Sequence, residues 1–576
     1  MTYLGLDLGA AFAELARVPS GHRLLPGVTP EVVTAPSTVI YRDGRAEIPA
    51  GPGVPTPDAV RCDGFPALLG TALAHSPVTA WQGRTPAQVT LDFLQCLLAS
   101  TGDRRTPTRP DHGDADGEPA GIVIAVPPRG RPGHPGEAGR PDDQGEQHDG
   151  GVRAPETVGV QISSALRQLG WSSKRLVAAP VAALLWLREQ HPELARVGKV
   201  LVVDAGAGSV DFSLCTITGT AVRVVDSARL MARAASEADG SVADGMPLSS
   251  RTLAGQLVAS LVAGSRDGRT QRQLVLLWRA FEAELANADV RDRLDVVLQQ
   301  ATALPTRHGD ARALRFGGLD ITAERFLAAL EPLARDAVRT LGELLGRQDD
   351  TGWRQFDAQD CPRLVLLGGL TGLWPLRAAL LSALGLDPSQ PGDDVLLPDN
   401  GGRTSAVARG AALLAAGLAD PGDRYPHGLR LVVHRIVKDR LVTEYLPLAA
   451  PGSIDLEQTV TAYLTRPGDA GEPLRITVPP EPPAMTGGLA VARPTHPVQI
   501  VPAAGPPVGA PLWTADPPVP GVYSIGVRGG PDGPAVVLKP ATGGKPVSYQ
   551  LTPLADTKPD HAQASRDPAQ QPEVSL

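Results

Sequence analysis

The sequence predicts an α/β domain followed by a small β-sandwich-like domain, and three observations carry that expectation. Apolar strand-like runs alternate with helix-like segments from residue 1 to about residue 419, the pattern of a sheet covered by helices. From residue 420 to about 556 the chain changes to short apolar runs punctuated by Pro and Gly, as in antiparallel sandwiches. Within the first part, apolar runs repeatedly end in glycine-rich turns, the connections that α/β folds use to build sites.

The elements follow in order. "YLGLDLG" and "AELARV" read as strands around a tight turn, "STVIYRDG" as a further strand, and "TPAQVTLDFLQCLLAS" as a helix. Residues 101–119 and 128–156 are dominated by Pro, Gly, Asp, Arg and His; such segments bury too little apolar surface to offset ordering entropy, so both are expected to be flexible loops. Between them "GIVIAVPP" has the continuous apolar character of a strand covered on both faces, so the loops interrupt a domain. "TVGVQISSALRQLGW" reads as a helix, "KRLVAAPVAALLWLREQ" as strand into helix, and "VGKVLVVDAGAGSVDFSLCTI" as two strands about a Gly-rich turn. "LVLLGGLTGLWPLRAALLSALG" and the small-residue helix "TSAVARGAALLAAGL" complete the α/β part. Eight short runs between Leu429 and Leu554 supply the β-rich domain, and residues 557–576 are polar enough to be a disordered tail. Trp171, Trp186 and Trp278 fall in apolar patterns and are expected in cores.

Composition excludes several functions. A chain of 576 residues with 42% hydrophobic content can build more than one core. Its net charge of −8 offers no basic face for a nucleic acid. Cys62, Cys96, Cys215 and Cys361 form no CxxC pair, which argues against a zinc site or a disulfide framework and fits the cytoplasm. No leader pattern and no apolar run of membrane-spanning length are present, so no membrane partner is expected. The eleven histidines are scattered, and no Ser-His-Asp arrangement can be argued from them.

Three stretches carry chemistry. In "YLGLDLGAAFAELA" and "LVVDAGAGSVDFSL" an apolar strand reaches an aspartate, Asp7 or Asp204, then a turn of small residues, then a second strand. Small turn residues let backbone N–H groups approach an anion. The aspartates fit that picture if they hold a hydrated Mg2+ that meets the phosphates from the other side. In "LVLLGGLTGLWPLRAALL" a buried strand runs into Gly368 and Gly369, where a planar base or ribose can lie on bare backbone. Each alone is equally a ligand-free connection; the order hairpin, hairpin, Gly-Gly turn is the informative signal.

That order resembles the actin-like ATPase superfamily, and residues 1–419 resemble the nucleotide-binding domain of heat-shock-70 (DnaK-type) chaperones. "YLGLDLGAAFAELA" is similar to the family's first phosphate motif, with "APSTVIYRDG" and "GIVIAVPP" similar to the strands that follow. "ALRQLGWSSKRLVAAPVAALLWL" is similar to the segment joining the two lobes, "VDAGAGSVDFSL" to the second phosphate motif, "LVLLGGLTGLWPLRAALL" to the adenosine motif and "PDNGGRTSAVARGAALLAAGL" to the closing helix. The resemblance implies a two-lobed, ribonuclease-H-like domain with ATP or ADP and Mg2+ in its cleft. It implies Asp7, Asp204 and Ser209 as catalytic residues, with Asp7 and Asp204 reaching magnesium through water. It implies nucleotide contacts from Gly9, Ala10, Ala11, Gly206, Ala207, Gly208, Asp211, Gly368, Gly369 and Thr371, and a protein or peptide partner for the β domain.

Departures from the family pattern temper the activity expected. Ala10 and Ala11 stand where the family has hydroxyls, Ala178 and Ala179 precede Pro180 where it has an acid, and the first lysine in the chain is Lys174. The missing positive charge could pass to Arg61 or Arg84, and around "WRAFEAELANADV" Arg279 and Glu282 fall in altered roles. Neither the acid-containing apolar linker nor a helical lid segment is found. The expectation is therefore a chaperone-related nucleotide-binding protein with weak or absent hydrolysis. The alternative is a catalytically inactive regulatory or scaffolding protein that uses the same fold and its β domain to bind other proteins. A small-molecule kinase of the same superfamily would need a substrate acid that the sequence does not offer.

Overall fold

The computed structural model describes residues 2–19, 29–49, 59–69, 72–78, 81–100, 121–128, 154–196, 198–218, 221–231, 252–262, 271–347, 363–422, 424–425, 427–437, 440–449, 454, 461–464, 474–478, 490–491, 498–501, 508–510, 519–529 and 534–551. Nearly all of both expected Pro/Gly-rich loops and the whole expected tail lie outside these residues. The chain divides into two compact units, Met1–Pro421 and Gly422–Leu576, and the first is mixed α/β.

The first unit opens with β1 (Thr2–Leu8), β2 (Phe12–Pro19) and β3 (Glu31–Pro36), then β4 (Thr38–Arg42), β5 (Arg45–Glu47), β6 (Val60–Asp63) and helix α1 (Pro86–Ser100). Next come β7 (Gly121–Val126), α2 (Ala154–Gln168), β8 (Ser172–Ala178) and α3 (Ala179–Gln190). Helix α2 starts at Ala154, inside the segment expected to be loop. A second series follows: β9 (Lys199–Ala205), β10 (Ser209–Thr218), β11 (Ala221–Met231), α4 (Leu253–Val262), α5 (Gln271–Ala286), α6 (Ala288–Ala303) and α7 (Pro305–His308). It ends with β12 (Arg312–Phe316), β13 (Leu319–Thr322), α8 (Ala323–Leu345), β14 (Leu364–Leu367), α9 (Trp374–Ala383), β15 (Val395–Leu396) and α10 (Asn400–Ala415).

Two five-stranded sheets share one plan. The first runs β3-β2-β1-β7-β8 and the second β11-β10-β9-β14-β15. In each, the three leading strands are antiparallel and the last two continue parallel to the innermost. Helices α3 and α10 share a single core with residues of both sheets, among them Val123 and Val177 of the first and Val202 and Val365 of the second. Such a helix pair must be apolar or small on every side, and residues 180–187 of α3 are all buried.

The small residues of α10 have a specific cause. Its backbone at Ala408 and Ala412 lies against Gly5 of β1, and Gly410 lies against the carbonyl of Ala182 in α3, so a Cβ at either glycine would overlap main chain. The helix ends are set locally. Asp399 accepts from Gly402 N at 2.5 Å ahead of α10, Asn287 accepts from Asp289 N ahead of α6, and Thr322 accepts from Arg325 N ahead of α8. Helices α1 and α2 cover the outer side of the first sheet, and α4, α5, α6, α8 and α9 that of the second. Trp186 and Trp278 are core residues and Trp171 packs against the core. Among the described residues no helix is long and apolar enough to cross a membrane.

The second unit is all β among the described residues: β16 (Gly428–Val437), β17 (Arg440–Ala449), β18 (Ala462–Tyr463), β19 (Arg475–Val478), β20 (Ala490–Val491), β21 (Val498–Val501), β22 (Val508–Ala510), β23 (Gly521–Arg528), β24 (Ala535–Pro540) and β25 (Val547–Gln550). All ten join in one hydrogen-bonded sheet, antiparallel except for the β19/β20 pair. Leu431, Ile500, Ile525 and Leu538, from strands spread along that sheet, share one core. The short strands β20 and β22 were not among the eight runs expected.

Candidate functional site

The two Gly-rich hairpins are built alike. Asp7 pairs with Glu14 across β1/β2, and Asp204 pairs with Asp211 across β9/β10. Cross-strand partners lie on one face of a sheet, so each hairpin brings two acids together just below its turn. The octapeptides "DLGAAFAE" and "DAGAGSVD" both begin and end on an acid and carry Gly-Ala after a two-residue step. That repeat was the sequence signal for Glu14, which motif reading passed over.

The turns face one another. A Cβ placed on Gly208 would sit 3.0 Å from the Cβ of Ala10, so the turns meet in van der Waals contact at that point. The third element closes on the second. Gly368, with φ of 79°, lies against the carbonyl of Ala205, and a Cβ there would come within 2.6 Å of Asp204 Oδ1. Both the dihedral and the close approach require glycine. Gly369 borders open space. Thr371 is fully buried, and its hydroxyl donates to Gly368 O at 2.8 Å, closing the turn internally.

The electrostatics of the two acid pairs are coupled. Asp7 and Asp204 are half-buried. Burial, then Glu14, pushes the Asp7 carboxyl up to about 7. Burial, then Asp7 and Asp211, pushes Asp204 up to about 7, against a lowering pull from Arg229. Glu14 is 6% exposed and is also pushed to about 7, by burial first and with a contribution from Asp204, although Thr404 and Arg409 oppose the shift. Asp211 is ion-paired with Arg229 and accepts from Ser209 Oγ at 2.8 Å, so the Ser209 hydroxyl is spent on the hairpin itself. Gly206 N donates to Ser209 O, and Ala207 O accepts from Ala254 N of α4.

A second buried cluster braces the first turn from behind. Arg279 of α5, 4% exposed, pairs with Asp63 at 2.8 Å and Glu282 at 2.6 Å and donates to the carbonyls of Ala11 and Ser37, both at 3.3 Å. Ser37 N donates to Ala11 O and its hydroxyl to Gly9 O. Burial pushes Asp63 up, but Arg279 and Arg61 outweigh it and hold the carboxyl below its ordinary value. Arg279 and Glu282 are thus structural partners joining α5 to β6 and to the first turn. Of the two arginines considered for the missing lysine, Arg61 is paired with Asp63, while Arg84 lies 3.9 Å over the Tyr41 ring and donates to Trp81 O.

The fit to a nucleotide with magnesium has two sides. Two half-buried carboxylates destabilised by each other are the donor chemistry a hydrated divalent cation relieves. The Ala10–Gly208 contact, in contrast, leaves no room for a phosphate directly between the turns at that point. Among the described residues, no group of three or more His, Cys, Asp or Glu side chains is placed to hold a bare metal ion. Neither the known protein-family models nor the curated protein sequences gave a match to this chain.

Proposed function

We propose that the first unit is a two-lobed, actin-like nucleotide-binding domain of heat-shock-70 type, taking ATP or ADP with magnesium at the turns that carry Asp7 and Asp204. The observation that carries the reading is the meeting of three motif elements: the Ala10 turn touches the Gly208 turn, and Gly368 rests on Asp204. The twice-used strand order supports it as well. In this reading Asp7 and Asp204 hold the cation through water, the backbone N–H groups of residues 9–11 and 206–208 take the phosphates once the turns part, and Gly368–Gly369 carries the sugar and base. Magnesium supplies charge neutralisation at the phosphates. Hydrolysis is weak, because Ala10 and Ala11 bring no hydroxyl, Ser209 is engaged with Asp211, and no lysine precedes Lys174 of β8.

Stabilisation by Mg-ATP tests the reading. The thermal midpoint rises with Mg-ATP, and Asp204→Asn removes most of the rise. No rise in the wild-type chain overturns it. The scaffolding alternative is favoured by one observation, the closed Ala10–Gly208 contact braced by buried Arg279; it predicts no response to nucleotide.

A further inference from the structure

The Gly368–Gly372 turn has a second lining, away from the two hairpins. Helix α6 carries Arg291 in its first turn and Asp295 one turn later, on one face. Asp295 accepts from Trp374 N at 2.6 Å, at the start of α9, and from Arg377 at 2.7 Å. Arg377 also donates to the carbonyls of Thr371 at 3.4 Å and Gly372 at 3.2 Å. From the other side Arg403, in the first turn of α10, lays its guanidinium on Gly372, where a Cβ would overlap it. The Arg403 carbonyl accepts from Gly368 N at 3.1 Å.

Two guanidiniums therefore meet at one short turn, and Arg291, on the α6 face that carries Asp295, adds its charge to theirs; Asp295 and Asp292 oppose it. Asp295 is already engaged twice, and Asp292 is exposed. The Nε atoms of Arg291 and Arg403 are buried and donate to nothing; the contact of Arg403 with Pro398 O is long, at 3.5 Å. A helix N-terminus disfavours a cation, yet Arg403 sits in one. Burial and the charges of Arg291 and Arg377 push the Arg403 guanidinium below its ordinary value. A buried N–H without an acceptor is costly, and a guanidinium fork matches phosphate oxygens.

We propose that Arg291, Arg377 and Arg403 form a phosphate-binding site beside the Gly368–Gly372 turn. The ligand group is a phosphate that takes its hydrogen bonds from the half-buried guanidiniums and offsets the mutual repulsion of the three arginines. Two sources share that chemistry. One is a second phosphate on the ribose of a nucleotide seated on Gly368–Gly369, which rests on the function proposed above; the other is free inorganic phosphate, which does not.

The test is a set of thermal melts of the full chain at constant ionic strength. Inorganic phosphate is titrated first, then AMP against adenosine 3′,5′-bisphosphate, on the wild type, Arg291→Gln and Arg403→Gln. The wild-type midpoint rises with phosphate, and each variant weakens the apparent affinity by about tenfold or more. In phosphate-free buffer Arg403→Gln melts no lower than wild type, because repulsion is relieved, whereas a merely structural arginine would lower it. A larger effect of the bisphosphate than of AMP assigns the site to the nucleotide's ribose, and an equal effect assigns it to free phosphate. A wild-type chain indifferent to both, or variants that keep the full response, overturns the proposal. If Arg403→Gln does not fold, Arg291→Gln carries the comparison. The phosphate series contains neither magnesium nor ATP, so it can fail while the Asp204-dependent response stands, or the reverse.

Discussion

Asp7, Glu14, Asp204 and Glu282 set how this protein responds to pH. All four are held near 7 in the folded chain, against about 4 for free carboxyls. Between those values the folded chain keeps protons that the unfolded chain has released, so unfolding free energy falls as pH rises from about 4 to about 7 and is flat with respect to these groups above that. Urea midpoints measured across that window should decline, and Asp204→Asn should flatten the decline by removing one titrating group and its repulsion of Asp7. A midpoint that climbs steadily through the window would contradict the arrangement. Arg279 gives the opposite kind of prediction. Arg279→Met leaves Glu282 buried without its cation, leaves Asp63 with Arg61 alone, and takes one of two donors from each of the carbonyls of Ala11 and Ser37, at an expected cost of about 3–5 kcal/mol. Adding Asp63→Asn should return part of that loss, read as a coupling energy in a double-mutant cycle.

At the scale of elements, α10 is held by what its residues lack. Gly410→Val puts branched carbon into the Ala182 carbonyl, so the helix must shift away from α3 or the core must open. A loss of at least about 1–3 kcal/mol is expected, the usual range for overpacking, measurable as a lowered urea midpoint with unchanged m-value. The sequence made this helix legible as small and apolar, and the strand-turn-strand runs around Asp7 and Asp204 as hairpins, because periodicity and glycine placement are local properties. It left the brace on the first turn illegible. Arg279 reaches Asp63 and Ala11 from α5, far along the chain, and a buried arginine reads as a surface one until tertiary packing is known. Asp211 and Ser209 were legible as motif positions, yet the pairing of Asp211 with Arg229 depends on the β10/β11 register. The convergence of Arg291, Arg377 and Arg403 comes from three separate helices and leaves no local pattern.

For the whole molecule, two units with separate cores lead to a prediction about divisibility. The described residues of Met1–Pro421 supply three of the large hydrophobic clusters and those of Gly422–Leu576 the fourth. A chain ending at Pro421 should fold with a cooperative thermal transition and the same pH dependence as the full chain, checked by circular dichroism. Loss of the transition would mean that the first unit depends on the second.

The β1/β2 and β9/β10 hairpins occupy the same place in sheets of identical order, with Ala10 and Ala207 at matching positions of octapeptides that share their Asp, Gly and Ala. Each copy is in effect a built-in comparator for the other: one substitution made at both sites samples two settings of a single design. Unequal responses would measure how far the twins have divided their labour.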